Sequence, residues 1–151
     1  MEREPDIDTE TDVAAAVPAR RLPVGPGELA AIFAGGSLGA LLRAAVEQLL
    51  SGSTAAWPWP TFAVNLAAAG LLGWTIAWLG DRSPRTLRAR AFLATGLCGA
   101  LSTFSTVMVE LIHLAEHAGW GLACGYAAAS LLGGLAAVTA GLRLGSRGRH
   151  A

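Results

Sequence analysis

The stretch Gly96-Leu-Cys-Gly-Ala-Leu-Ser-Thr-Phe-Ser-Thr-Val-Met-Val-Glu110 decides how the chain is read. It lies in an apolar segment long enough to span a membrane, yet its centre holds Gly96, Gly99, Ser102, Thr103, Ser105 and Thr106. Glycine, β-branched and hydroxyl residues are weak helix formers, and the hydroxyls compete for backbone hydrogen bonds. Two readings follow. In one, the helix breaks and restarts at membrane depth, where freed carbonyls and amides must be satisfied by protein, ion or water. In the other, the small residues line a close helix crossing.

The rest of the composition frames that segment. Of 151 residues, 53% are hydrophobic and 15% charged, which points to one membrane domain rather than a soluble one. All 11 positive residues are Arg, and they balance 11 Asp and Glu. Cys98 and Cys124 fall in apolar segments and read as small buried hydrophobes. No phosphate-binding loop, nucleophile elbow or zinc motif is present, and no acid–base constellation, so an enzyme is not expected.

Residues 1–27 read as a disordered acidic tail, with Glu2, Glu4, Asp6, Asp8, Glu10 and Asp12 and with prolines that interrupt any helix. Residues 28–143 read as a four-helix transmembrane domain, and 144–151 as a basic tail. The first span, about Leu29–Leu50, holds Gly35 and Gly39 on one face for close contact. It also holds Arg43 with Glu47 at i+4, a pair that can bridge on one helix face. The structural role for Arg43 outweighs a direct ion contact.

The second span, about Thr61–Leu79, has one strongly polar residue, Asn65, which suits either interhelical bonding or a pathway donor. An arginine-rich loop leads to the third span, about Ala91–Leu114, with Glu110 near its end. The fourth, about Trp120–Leu142, places Tyr126 and Ser130 one turn apart on a single face and carries a small-residue pair, Gly121 and Gly125.

Four motifs, in order on four spans, resemble those of the CrcB/Fluc fluoride channels over about residues 30–142. Gly35-Gly36-Ser37-Leu38-Gly39-Ala40-Leu41-Leu42-Arg43 is similar to the first-helix GGxxGAxxR, and Thr61-Phe62-Ala63-Val64-Asn65 to the second-helix TxxVN. Gly99-Ala100-Leu101-Ser102-Thr103-Phe104-Ser105-Thr106 resembles the third-helix GGxTTFST, and Tyr126 with Ser130 the fourth-helix Y-x3-S. The resemblance implies an all-α antiparallel dimer with two pores and a broken third helix. It implies a structural Na⁺ at the dimer centre held by the carbonyls of Gly99 and Ser102. It assigns a fluoride path to Asn65, Phe104, Tyr126 and Ser130, and a pore-mouth or structural charge to Arg43 and Glu110. Donors there would be a neutral amide, hydroxyls and the positive edge of an aromatic ring, which replace water around the anion without trapping it. One position departs from the family: Val107 stands where a second Phe is usual.

The implied function is passive export of cytoplasmic fluoride through the cell membrane. Two alternatives remain. One is a structural subunit of a heterodimeric fluoride channel, which Val107 keeps open. The other is a small four-helix drug exporter, disfavoured because no carboxylate lies deep in the first, second or fourth span.

Orientation follows from charge alone. Arg20 and Arg21 precede the first span; Arg82, Arg85, Arg88 and Arg90 lie between the second and third; Arg143, Arg147 and Arg149 follow the fourth. The other two loops, residues 51–60 and 115–119, hold no Lys or Arg. Positive residues favour the cytoplasmic side, so both termini are expected inside. An inverted homodimer, the default that the family resemblance implies, needs both orientations and so needs insertion to override the charge rule; this bias instead favours pairing with an oppositely oriented paralogue. A C-terminal reporter on the chain expressed alone should give cytoplasmic signal only; substantial signal from both sides would falsify the heterodimer argument.

Overall fold

The computed structural model describes residues 24–50, 57–80 and 83–148. Most of the acidic tail, most of the first loop, Arg82 and residues 149–151 lie outside them. Six helical elements make four rods. They are α1 (Pro26–Leu50), α2 (Trp59–Trp78), α3 (Pro84–Arg90), α4 (Gly99–Leu101), α5 (Phe104–His117) and α6 (Trp120–Arg147). A π-helical segment, Ala91–Cys98, joins α3 to α4, and no strand occurs among the described residues. The third rod therefore runs Pro84–His117 with an interruption after Leu101. All four rods are long and apolar enough to cross a membrane. The shortest, α2, has 20 residues, which at 1.5 Å per residue matches a hydrocarbon core of about 30 Å.

The helix ends differ from the sequence reading for local reasons. The first rod starts at Pro26, because proline's fixed φ suits the first turn and its missing N–H costs nothing there. The last runs to Arg147, a cation beside the negative end of the helix dipole. Ser83 caps α3 by accepting from the Thr86 amide at 3.3 Å. The turn between α5 and α6 is made at Gly119, whose φ of 96° favours glycine.

Two tight crossings organise the bundle. Rod α1 lies against the π-helical segment, and α2 against α6. At the first, Gly35 abuts the Phe92 carbonyl and Gly39 the Leu97 carbonyl, while Gly96 reaches back to the Ile32 carbonyl. At the second, Gly73 meets the Val138 carbonyl and Gly141 the Gly70 carbonyl. A side chain at any of these positions would strike backbone. The small-xxx-small face expected at Gly35 and Gly39 is thus in use within the chain. The pair Gly121 and Gly125 is not: a Cβ there would meet nothing within 4 Å. Outward faces carry Phe33, Leu41, Leu49, Leu131 and Leu132, the surface a bilayer requires.

Gly35→Val should force α1 off the π-helical segment, whereas Gly99→Val should fit, since a Cβ at Gly99 meets nothing within 4 Å of the single chain. Overpacking of this kind costs about 1–3 kcal/mol. Denaturation of the monomeric chain in detergent should show Gly35→Val losing stability by that order and Gly99→Val staying within about 0.5 kcal/mol of the parent.

Candidate functional site

The third rod is interrupted at two extended residues, Ser102 (φ −76°, ψ 151°) and Thr103 (φ −143°, ψ 122°). A cost arises at once: backbone groups lose their helical partners inside an apolar region. The chain answers with side chains. Asn65 on α2 spans the break twice, its Oδ1 accepting from the Thr103 amide at 2.8 Å and its Nδ2 donating to the Thr103 carbonyl at 3.1 Å. Thr103 Oγ1 then caps α5, accepting from the Thr106 amide at 3.3 Å. Upstream, both the amide and the hydroxyl of Ser102 donate to the Cys98 carbonyl. Arg43 donates from Nε to the Ala100 carbonyl at 3.2 Å and also pairs with Glu47 at 3.5 Å.

These bonds leave a pattern in the carbonyls. In an unbroken helix the Thr103 amide would go to the Gly99 carbonyl, and the Thr106 amide to the Ser102 carbonyl. Both amides are taken by side-chain oxygens instead. The carbonyls of Gly99 and Ser102 thus lose their helical donors, and both residues are exposed on the single chain. Gly99, Ser102 and Asn65 border one depression of about 270 Å³ with Cys98 and Leu72.

Asn65 also borders a larger groove of about 400 Å³ between α2, α5 and α6. Phe104, Val107, Met108 and Ser130 line it with Asn65 and Thr103. Phe104 is 76% exposed, so its ring is free to meet whatever occupies the groove. Ser130 Oγ is buried in its wall, beside the Tyr126 hydroxyl. Val107 is only 8% exposed and packs with Leu114, Ala123 and Tyr126 at the back of the groove.

A second cluster sits nearer the α5–α6 turn. Glu110 accepts from Thr61 Oγ1 at 2.5 Å and from the Tyr126 hydroxyl at 2.7 Å, one donor on each carboxylate oxygen. Thr61 and Tyr126 are 1% and 0% exposed. Trp57 stands edge-on to Tyr126 with ring centroids 5.3 Å apart and shields it from one side. Through these two short bonds the three side chains tie α2, α5 and α6 together.

The sequence-derived candidates are therefore divided. The groove brings together Asn65, Phe104 and Ser130. Tyr126 lies behind it, bonded to Glu110 and not on the groove wall. Arg43 is an anchor to a carbonyl of the break. Thr61 stands in the second-helix motif, but its role shows only with its partner, Glu110, 49 residues away. The pairing of Asn65 with Thr103 was likewise open, because an amide in a span fits several partners equally well. Among the described residues no three His, Cys, Asp or Glu side chains converge as a metal cluster.

Four apolar rods, one broken at mid-depth and bordered by amide, hydroxyl and aromatic-edge donors, define a membrane transport protein of the ion-conducting class. The chain belongs to the CrcB family: the family described as CrcB-like protein, Camphor Resistance (CrcB), matches residues 30–142. It is 49% identical to fluoride-specific ion channel FluC 1 of Mycolicibacterium paratuberculosis over 122 residues, 81% of this chain and 92% of that protein. It is 52% identical to FluC 1 of Mycobacterium bovis over 111 residues, 74% and 84% of the two chains. A more distant relative is the fluoride-specific ion channel FluC of Xanthomonas euvesicatoria, 37% identical over 124 residues, 82% of this chain and 93% of that protein.

Replacing Asn65 with Leu would strand both the amide and the carbonyl of Thr103. A buried unpaired polar group costs about 1–3 kcal/mol. Hydrogen–deuterium exchange should show the Thr103 amide losing protection in Asn65→Leu, while amides in the α2–α6 crossing keep theirs. Unchanged exchange at Thr103 would mean that the two bonds do not hold the break.

Proposed function

We propose that the chain is a channel subunit that lets cytoplasmic fluoride leave the cell passively through the groove bordered by Asn65, Phe104 and Ser130. The observation that carries the reading is the groove's lining. It offers the second N–H of the Asn65 amide and an exposed phenyl ring, with Ser130 in its wall and no cation among its lining residues. Such neutral donors suit a small anion that must shed water on entry and regain it on exit. Tyr126 would act from behind, as the residue that holds Glu110 and shapes the path beside Ser130. Arg43 and Glu110, each already bonded within the chain, would set the field near the path rather than bind the anion.

A structural Na⁺ between two inverted subunits fits the carbonyls of Gly99 and Ser102. Both lack their helical amide donors, both are exposed on the single chain, and carbonyl oxygens are hard ligands suited to a hard cation. The open space around Gly99 fits a surface covered by a second subunit. The arginine asymmetry between loops favours a paralogue of opposite orientation as that subunit, in the cell membrane with this chain's termini cytoplasmic. Such a partner could supply the aromatic ring that Val107 does not.

Fluoride release from liposomes, followed with a fluoride electrode, tests the function. The parent subunit, alone or with an adjacent paralogue, should release fluoride and retain chloride. Asn65→Asp adds like charge to the path, and Phe104→Leu removes a ring edge that is exposed. Each should slow release by about tenfold or more, a barrier increase of about 1.4 kcal/mol. Unaltered release in Phe104→Leu at equal protein level would remove the groove from the path.

A further inference from the structure

A pair of histidines lies outside both the groove and the Glu110 cluster. His113 and His117 stand at i and i+4 on the last turns of α5, both exposed. Their rings are stacked, with centroids 4.2 Å apart and planes 23° from parallel. The Nδ1 of His117 lies 3.0 Å from the His113 carbonyl oxygen. A carbonyl only accepts, so that nitrogen carries the proton and the lone pair is left on Nε2.

We propose that His113 and His117 form a binding site for one borderline divalent transition-metal ion, of the zinc, nickel or copper type. Three observations converge on it. The i, i+4 spacing sets two imidazoles on one helix face, the arrangement by which a helix offers two ligands to one metal. The rings are already neighbours, with centroids 4.2 Å apart; because each lone pair lies in its ring plane, the rings turn out of the stack to coordinate one ion. Two Zn–N bonds of about 2.0–2.1 Å at a tetrahedral angle place the nitrogens about 3.3 Å apart, within reach of rings at this separation. The bond to the His113 carbonyl fixes the tautomer of His117, as the outer partner of a metal-bound histidine does. Imidazole selects zinc, nickel and copper over magnesium and calcium, which want oxygen ligands. Water would complete the coordination shell, since both residues are exposed. A bound ion would clamp the final turn of α5, which already fits the Gly119 turn.

The site is tested on the full-length chain, purified in detergent with any affinity tag removed and titrated calorimetrically with nickel and then zinc chloride. One ion per chain is expected. His113→Ala and His117→Ala should each weaken binding by about tenfold or more. Circular dichroism should confirm that both variants, altered only at exposed positions, remain helical. Two other potential ligands are controlled: His150→Ala, outside the described residues, and Cys124→Ser should bind as the parent does. Nitrogen NMR of the rings should show the metal-induced shift of His117 at Nε2 and not at Nδ1. Unchanged affinity in the His113→Ala/His117→Ala double variant overturns the proposal. So does loss of binding in the Cys124 or His150 variant, or absence of nickel binding at millimolar concentration.

Discussion

The two hydrogen bonds between the Asn65 side chain and the Thr103 backbone are the constraint on which the site depends. A helix broken inside a bilayer exposes amides and carbonyls that neither lipid nor neighbouring leucines can satisfy. One carboxamide, with an acceptor and a donor on the same planar group, meets the amide and the carbonyl of a single extended residue. Once Thr103 is held, its hydroxyl is placed to cap α5, and the Gly99 and Ser102 carbonyls are left turned away from helical partners. The residue that bridges the break also borders both depressions.

The glycine crossings do a different job. They bring α1 onto the π-helical segment and α2 onto α6 with backbone nearly touching backbone, where weak Cα–H···O contacts and dispersion replace the hydrophobic effect that lipid denies. Wide π-helical turns are rare and tend to mark functional positions. Here the widened stretch sits between the arginine-rich α3 and the break, and Gly96 within it is pressed against α1. The third rod is thus anchored on one side by close packing and on the other by polar bonds.

Much of this was legible in the sequence, and the limits have physical causes. Four spans follow from hydropathy and length; the clustering of Gly99, Ser102 and Thr103 fits a break or a close crossing, and only the family resemblance favours the break. The face shared by Gly35 and Gly39 followed from spacing. What spacing did not separate was the fate of Gly121 and Gly125, which look identical to Gly35 and Gly39 in sequence but contact nothing in the chain. Small residues permit approach; only the neighbour decides whether it happens. Polar residues were harder still. The resemblance assigns Tyr126 and Ser130 to one path, yet the Tyr126 hydroxyl turns to Glu110 and leaves the groove wall, because a hydroxyl follows its strongest nearby acceptor. The π-helical turn left no sequence mark: Ala91–Cys98 carries nothing that a regular helix would refuse.

The bridge across the break also sets an order on synthesis. Asn65 leaves the ribosome 38 residues before Thr103. A nascent chain that has inserted only its first two helices carries an amide in the bilayer with neither of its final partners. An unpaired polar group in hydrocarbon is costly, so the first two helices alone sit in lipid less favourably than the finished bundle does. Likewise α2 waits for α6 before its glycine face is covered. The polar residue that shapes the finished site therefore weighs against the first hairpin settling in lipid before the second arrives.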